Sequence, residues 1–275
     1  MKYTTLRTTI PAQGGSMKLL ILRPEEPAPE SGRPGVLWIH GGGYITGMAG
    51  MVYMSRALNL VRRYGAVVVS PEYRLAGQAP YPSALLDCHS ALVYLKEHAG
   101  ELGVRSDQLM VGGESAGGGL AAALCLYERD KGGVKIAFQM PFYPMLDNED
   151  TETSRDNHAP VWNTRRNHAA WARYLRGVDG AVPAYAASAR AEDCAGLPPA
   201  YTFVSTAEPF YAETLAYVQR LRDAGVEASA DVYEGLFHAF DMLAPFLPVS
   251  QRAAAAFERQ FEYAVRHYFA RQDDE

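Results

Sequence analysis

The sequence predicts an α/β fold, with a mostly parallel central sheet flanked by helices on both faces, and three observations support this prediction. Short apolar, β-branched runs alternate with stretches of helical spacing along most of the chain. Two such runs, residues 36–39 and 66–69, lack the polar alternation of half-exposed strands, which is typical of buried parallel strands. Residues 51–64 between them carry apolar side chains at helical spacing, so strand, crossover helix and strand follow one another.

The same alternation continues toward the C-terminus. Further strands are predicted at residues 18–22, 109–111, 136–140, 201–204 and 228–233, and further helices at 116–127, 211–224 and 251–267. The Pro-rich stretch 24–34 is expected to be an exposed connection. Residues 147–182 interrupt the pattern with a polar stretch and a helix at 162–175. We therefore predict one α/β domain, residues 1–275, with a small helical cap inserted at about 147–182.

Two aromatic residues of the cap, Trp171 and Tyr174, lie one helical turn apart. They could line a pocket beneath the cap, but an aromatic pair at this spacing more often reflects ordinary packing.

Composition excludes several classes of function. The 275 residues carry a formal net charge of −5, and the basic residues are scattered between acidic ones, which argues against a nucleic-acid partner. No apolar run approaches the roughly 18 residues of a membrane span, and residues 1–10 lack the apolar stretch of a signal peptide, so we expect a cytoplasmic protein. Three distant cysteines indicate neither a disulfide set nor a metal site.

The strongest motif is a G-x-S-x-G sequence between an apolar strand and an Ala-rich helix. It reads Gly113-Glu114-Ser115-Ala116-Gly117. A tight turn from strand to helix forces the central residue into an uncommon backbone conformation, and the small neighbours allow the chain to pass close to itself. This context predicts that Ser115 is a nucleophile; alone, the motif would equally fit a helix cap.

A second motif, His40-Gly41-Gly42-Gly43, follows the predicted strand at 36–39 without a gap. Consecutive glycines allow backbone N–H groups to face a ligand, and such donors stabilise the oxyanion of acyl transfer. Gly42, Gly43 and the N–H of Ala116 are the candidate donors. We expect the His40 ring to brace the glycine loop by hydrogen bonding, not to transfer protons.

A serine nucleophile needs a base, and the base needs a carboxylate that orients it. A G-x-S-x-G motif between a strand and a helix is typical of the α/β-hydrolase fold. In that fold the order along the chain is Ser, acid, His. His238 follows the last predicted strand, whereas His158 and His168 lie in the insertion and His267 in the terminal helix, so His238 is predicted as the base.

The acid is predicted at the end of the penultimate strand. Glu208 follows residues 201–204, and Pro209 disfavours helical geometry at Glu208. The alternative is that Glu208 is an exposed loop carboxylate and that Glu213 or Asp193 acts instead.

Together these motifs resemble the hormone-sensitive-lipase branch of bacterial esterases, over about nine-tenths of the chain. The resemblance rests on His40 to Gly43, Glu72-Tyr73-Arg74-Leu75, Gly113 to Gly118, Leu197-Pro198-Pro199-Ala200 and the loop of Phe237 and His238. It implies a carboxylesterase that acts on small-molecule esters with short acyl chains, needs no cofactor and carries a cap over the active site. The oligomeric state stays open, a homodimer included.

The chain departs from this family in two respects. The family usually has Asp before the proline of its acid motif, where this chain has Glu208, so the longer side chain requires a slightly retracted backbone. Family members also often have a longer segment before the His-Gly-Gly-Gly loop that contributes to the cap, whereas 39 residues precede His40 here. The cap is then built mainly from residues 147–182, and the pocket is more open than is typical.

Two other functions fit parts of the pattern. A peptidase or amidase on the same fold is the alternative within enzymes, because a triad alone does not distinguish an ester from an amide. The alternative in another class is a binding protein that kept the fold and lost catalysis. The plant gibberellin receptors, which resemble this branch, are of that kind. Those receptors have lost a triad residue, whereas Ser115 and His238 are both present here.

Overall fold

A computed structural model describes residues 1–272 of the chain. Its strands are β1 Tyr3–Ala12, β2 Gly15–Pro24, β3 Arg33–Ile39, β4 Val67–Pro71, β5 Val104–Glu114, β6 Phe138–Phe142, β7 Ala200–Ser205 and β8 Ala228–Tyr233. They form one sheet in the order β1-β2-β4-β3-β5-β6-β7-β8. β2 pairs antiparallel with β1 and β4. The remaining neighbours in the sheet, β4, β3, β5, β6, β7 and β8, pair in parallel.

The helices connect the strands and cover the sheet. They are α1 Ala57–Tyr64, α2 Ser83–Glu97, α3 Ala99–Leu102, α4 Ala116–Lys131, α5 Thr164–Tyr174, α6 Tyr211–Asp223, α7 Phe240–Leu243 and α8 Pro248–His267, with two short 3₁₀ helices at Ala49–Tyr53 and Ser188–Arg190. Within residues 1–272, no helix combines the length and the apolar character needed to cross a membrane.

Side-chain alternation along the central strand β3 divides the core between the two faces of the sheet. Leu37 and Ile39 pack in the same cluster as buried residues of α2 and α4. Val36 and Trp38 pack with buried residues of α1 and α8 on the other face. Because both faces are covered, residues 36–39 of this strand are all apolar, and each fully buried aliphatic side chain contributes roughly 1.5–3 kcal/mol.

The predicted fold class is therefore confirmed, although several elements differ, among them helix α2, Ser83–Glu97, which was not predicted. The N-terminal strand β1 escaped prediction because it is an edge strand in which Thr and Arg alternate on the exposed face. The helix predicted at 51–64 is broken into a 3₁₀ turn and α1. Ser55 lies at the break, where its hydroxyl donates to the carbonyl of Val52 and accepts from the N–H of Ala57, which competes with a continuous helix.

The chain between β6 and β7 contributes no strand to the sheet and contains α5. The side chain of Asn163 caps α5 by accepting from the N–H of Arg166. Tyr174 is buried and stacks on Tyr44 with 4.0 Å between ring centroids, and Trp171 packs on the same ring. These contacts favour the packing interpretation of this aromatic pair over a pocket lining.

Candidate active site

Ser115 occupies the turn between β5 and α4. Its φ of 58° and ψ of −121° are rare for a residue with a side chain, and this strain is typical of functional turns. The turn is possible because its neighbours are small: a Cβ on Gly117 would lie 2.1 Å from the carbonyl oxygen of Ile39. A Cβ on Gly113 would lie 2.5 Å from the same oxygen. The two flanking glycines therefore allow the turn that contains Ser115 to lie directly against β3.

His238 lies in the loop after β8, and its Nε2 is 2.9 Å from Ser115 Oγ. The loop is tied to the end of β7, because the N–H of Leu236 donates to the hydroxyl of Ser205. The next residue, Ala239, has a φ of 59° and reverses the chain into α7. Only 3% of His238 is exposed. The imidazole is thus held at hydrogen-bond distance from the serine hydroxyl, which general-base catalysis requires.

Glu208 is fully buried, and both of its carboxylate oxygens have partners. Oε2 is 2.5 Å from His238 Nδ1, and Oε1 accepts from the N–H of Ser205 at 2.7 Å. Helix α6 begins three residues later, at Tyr211. A carboxylate on Nδ1 fixes the tautomer in which Nε2 is free to accept a proton, and it stabilises the imidazolium that forms.

The alternative acids lie elsewhere. Glu213 accepts from the N–H groups of Leu146 and Asp147, and burial raises the pKa of its carboxyl well above the usual value of 4.5. Asp193 accepts from the N–H of Ala195. The contact to His238 Nδ1 is made by Glu208.

The other histidines after residue 115 also have different partners. His158 and His168 are exposed and pair with Asp156 and Asp150, and His267 stacks against Tyr263. The structure therefore brings Ser115, His238 and Glu208 together, in the chain order predicted from sequence.

The glycine loop after β3 lies beside this serine. A Cβ on Gly41 would be 3.2 Å from Ser115 Cβ. Gly42 and Gly43 have φ values of 121° and 61°, which favour glycine. Within residues 1–272, no hydrogen bond is donated by either of their amides. Ala116 is the first residue of α4, where backbone N–H groups have no partner inside the helix. These three amides are available to an oxyanion.

His40 is buried against the loop and does not touch Ser115's hydroxyl. Its Nδ1 lies 2.8 Å from the carbonyl oxygen of Gly41, and its ring stacks on Tyr73 at 4.2 Å. Tyr73 in turn donates to the carbonyl of His40. Burial lowers the pKa of His40 to about 4, so the ring is neutral at pH 7 and donates from Nδ1 to the loop. The His40 ring thus holds the glycine loop through its hydrogen bond to the carbonyl of Gly41.

Glu114, the residue before the serine, points away from the triad. Its Oε1 accepts from the indole N–H of Trp38 at 2.9 Å. Burial raises the pKa of its carboxyl to about 8, an effect that the Trp38 hydrogen bond partly offsets. The side chain is therefore neutral at pH 7 and anchors the turn to β3.

Sequence reasoning missed the aromatic residues that surround the imidazole. Tyr143 and Phe210 meet its ring edge-on, at centroid distances of 5.0 Å and 5.2 Å. Trp162 lies over the same ring at 6.3 Å and also covers Gly43, where a Cβ would be 2.2 Å from the indole. Single aromatic residues in loops carry no periodic signal, so no pattern in the sequence marks them.

In the part of the chain that the structure describes, no group of three or more His, Cys, Asp or Glu side chains is arranged to hold a metal ion.

Known proteins share this fold and this family. A profile of the alpha/beta hydrolase fold family matches residues 36–242. The esterase LipI of Mycobacterium tuberculosis is 33% identical over 228 residues, which span 80% of this chain and 69% of that protein.

Two solved structures show the same relation. A bacterial heroin esterase superposes with a TM-score of 0.87 at 34% identity, over 92% of this chain and 82% of that one. Esterase LipW from Mycobacterium marinum superposes with a TM-score of 0.88 at 30% identity, over 96% of this chain and 82% of that one. The chain thus belongs to the alpha/beta hydrolase fold family, in its hormone-sensitive-lipase-like branch of serine ester hydrolases.

Proposed function

We propose that this protein hydrolyses esters of short acyl chains through a triad of Ser115, His238 and Glu208. The observation that carries the proposal is the unbroken chain of contacts from the serine hydroxyl to the imidazole at 2.9 Å and from the imidazole to the carboxylate at 2.5 Å. In this proposal Ser115 attacks the ester carbonyl while His238 accepts its proton at Nε2. Glu208 orients the ring and stabilises its cation.

The amides of Gly42, Gly43 and Ala116 are the proposed oxyanion hole. Charge develops on the carbonyl oxygen as the serine attacks, and a single well-placed donor is worth roughly 2.7–4 kcal/mol in the transition state. The brace of His40 and Tyr73 supports this assignment, because it holds the loop without using these N–H groups. His238 then returns its proton to the leaving alcohol. A water activated by the same imidazole hydrolyses the acyl-enzyme, which regenerates Ser115.

The preference for short acyl chains is supported by the crowding above the serine. Ser115 is only 6% exposed. Trp162 packs against Gly43 on one side of the imidazole, and Phe210 closes another side. A long acyl chain would have to displace the indole, whereas an acetyl group needs little room.

We further propose that residues 147–182 act as the cap of a single catalytic domain. Trp162, just before α5, is a cap residue that packs against the proposed oxyanion loop at Gly43. The cytoplasmic location stays a prediction of the sequence.

The test replaces the nucleophile. Ser115→Ala is expected to lower kcat on p-nitrophenyl acetate on the order of 10⁶-fold, because it removes the hydroxyl that lies on His238 Nε2. The matched control is Ser70→Ala, which also removes a buried hydroxyl, but one that bonds to the carbonyl of Ala49 in the core. Wild-type turnover by Ser115→Ala would refute the assignment.

Two further assays address the alternatives. A fluorophosphonate probe should label the wild type and not Ser115→Ala, which separates an enzyme from a binding protein. A series of p-nitrophenyl esters from acetate to decanoate, compared with an aminoacyl anilide, should show a maximum at short acyl esters; a maximum at decanoate or faster anilide cleavage would contradict the proposal.

A further inference from the structure

A second set of buried polar contacts surrounds Asp241, which follows His238 in the chain. Arg56, at the start of α1, reaches across to Asp241, three residues after His238. Its Nε donates to Asp241 Oδ2 at 3.0 Å, and its Nη2 donates to the backbone carbonyl of Asp241 at 2.5 Å. Asp241 is fully buried, and 12% of the Arg56 side chain is exposed. One guanidinium thus holds both the side chain and the main chain of the segment that follows the base.

Tyr143 completes the set and links it to the imidazole. Its hydroxyl donates to Asp241 Oδ1 at 2.9 Å, so both oxygens of this carboxylate have donors. The same tyrosine ring packs edge-on against His238, with 5.0 Å between centroids. Burial, followed by the charge of Asp241, raises the pKa of the Tyr143 hydroxyl well above 10, so it remains a donor at every working pH.

These contacts are expected to add little to the free energy of unfolding. A buried ion pair contributes little net stability, because desolvation of both charges offsets their attraction. Tyr143 also has a φ of 32°, which is unusual for a residue with a side chain. The contacts meet at the first turn of α7, directly after Ala239, where the chain reverses behind the base.

We propose that Arg56 and Tyr143, acting through Asp241, are positioning residues that hold the His238 loop in register with Ser115. This inference rests on the proposed role of His238 as base. Glu208 fixes the rotation of the ring from its Nδ1 side. The Asp241 contacts fix the backbone that carries the ring, and Tyr143 supports the ring edge itself.

The test compares two tyrosines that make the same kind of hydrogen bond. Tyr143→Phe removes the donor to Asp241 and keeps the ring. Tyr201→Phe is the matched control, because Tyr201 is also buried and its hydroxyl donates to the carboxylate of Asp231 at 2.8 Å. For each variant, kcat and KM on p-nitrophenyl acetate, the rate of fluorophosphonate labelling and Tm are measured.

Tyr143→Phe is expected to lower kcat and the labelling rate by the same factor, about tenfold, with KM unchanged, because small displacements of a catalytic group act on the chemical step. Tyr201→Phe is expected to lower Tm by a similar amount and to leave kcat and labelling unchanged. If the two variants differ only in Tm, or if Tyr143→Phe changes KM and not kcat, the inference is wrong.

A second pair of variants covers the case in which Tyr143→Phe does not fold. Arg56→Lys keeps the charge but removes the planar fork whose Nε and Nη2 bond the carboxylate and the carbonyl of Asp241. Its control is Arg74→Lys, since Arg74 makes the equivalent forked contact with the buried Asp87. Loss of kcat and labelling in Arg56→Lys but not in Arg74→Lys supports the inference, and equal behaviour of the two overturns it.

Ser115→Ala, measured in the same series, separates this inference from the proposed function. Activity retained in Ser115→Ala would refute the triad itself. An inactive Ser115→Ala together with equal kcat in the two tyrosine variants would refute only the positioning role.

Discussion

Replacing Glu208 by Gln tests the electrostatic part of the triad without changing its shape. The N–H of Ser205 donates to Glu208 Oε1, and an amide in this place must keep its oxygen there. The amide nitrogen then faces His238 Nδ1, where the carboxylate oxygen Oε2 stood at 2.5 Å. Two donors cannot face each other, so the imidazole must carry its proton on Nε2 instead.

The size of the effect follows from that tautomer. A proton on Nε2 points at Ser115 Oγ, so the ring can no longer accept the serine proton. Loss of the correct tautomer and of the charge that stabilises the imidazolium costs about 10⁴-fold in kcat in serine hydrolases. This factor corresponds to about 5.5 kcal/mol of transition-state stabilisation.

The assay measures kcat and KM for p-nitrophenyl acetate, with Tm as a check of folding. Glu213→Gln is the matched control, since Glu213 is a second buried carboxyl in the same region, at the start of α6. Burial raises the pKa of the Glu213 carboxyl well above 4.5, and the N–H groups of Leu146 and Asp147 that donate to its Oε1 can donate to an amide oxygen as well. Its kcat is expected to stay within about twofold of the wild type.

A folded Glu208→Gln enzyme with kcat within tenfold of the wild type would refute this reasoning, because an amide would then serve as well as a carboxylate. A loss of about 10⁴-fold in Glu213→Gln alone would assign the acid to Glu213 instead.

Two further predictions concern the walls of the site. Because the pKa of Glu114 is raised to about 8, the folded chain binds more protons than the unfolded chain between pH 4.5 and 8, and stability falls as pH rises through this range. Glu114→Gln should remove up to about 1.4 kcal/mol per pH unit of this fall, and an unchanged slope of Tm against pH would contradict the assignment. Trp162→Ala should favour longer acyl chains, raising kcat/KM for octanoate relative to acetate about tenfold; an unchanged ester profile would show that the indole does not limit chain length.

The fold and the candidate residues Ser115, His238 and Glu208 could be predicted because each has a local signal. Ser115 lies in a motif that few backbones permit, and His238 and Glu208 follow strands whose apolar runs mark the edge of the sheet. Trp162, Tyr143 and the pairing of Arg56 with Asp241 have no such signal. Arg56 and Asp241 are 185 residues apart in the chain, so no local pattern in the sequence links them.

The positions of Ser115, Glu208 and His238 relative to one another also depend on strands β6 and β7. Ser115 follows β5, whereas Glu208 and the His238 loop are both tied to the end of β7 through the N–H and the hydroxyl of Ser205. Glu208 and the His238 loop are therefore held by the same strand end, and β6 lies between that strand and β5.

At the end of β6, Phe142 accepts from the N–H of Ser115, and the N–H of Tyr143 donates to Phe203 of β7. These two bonds join the turn that contains Ser115 to β7, whose last residue, Ser205, hydrogen-bonds Glu208 and the His238 loop. The Tyr143 hydroxyl extends the same connection to Asp241 behind the imidazole. Tyr143 thus contacts His238 and bonds to both β7 and Asp241. We therefore expect substitutions at Tyr143 to lower kcat with little change in KM.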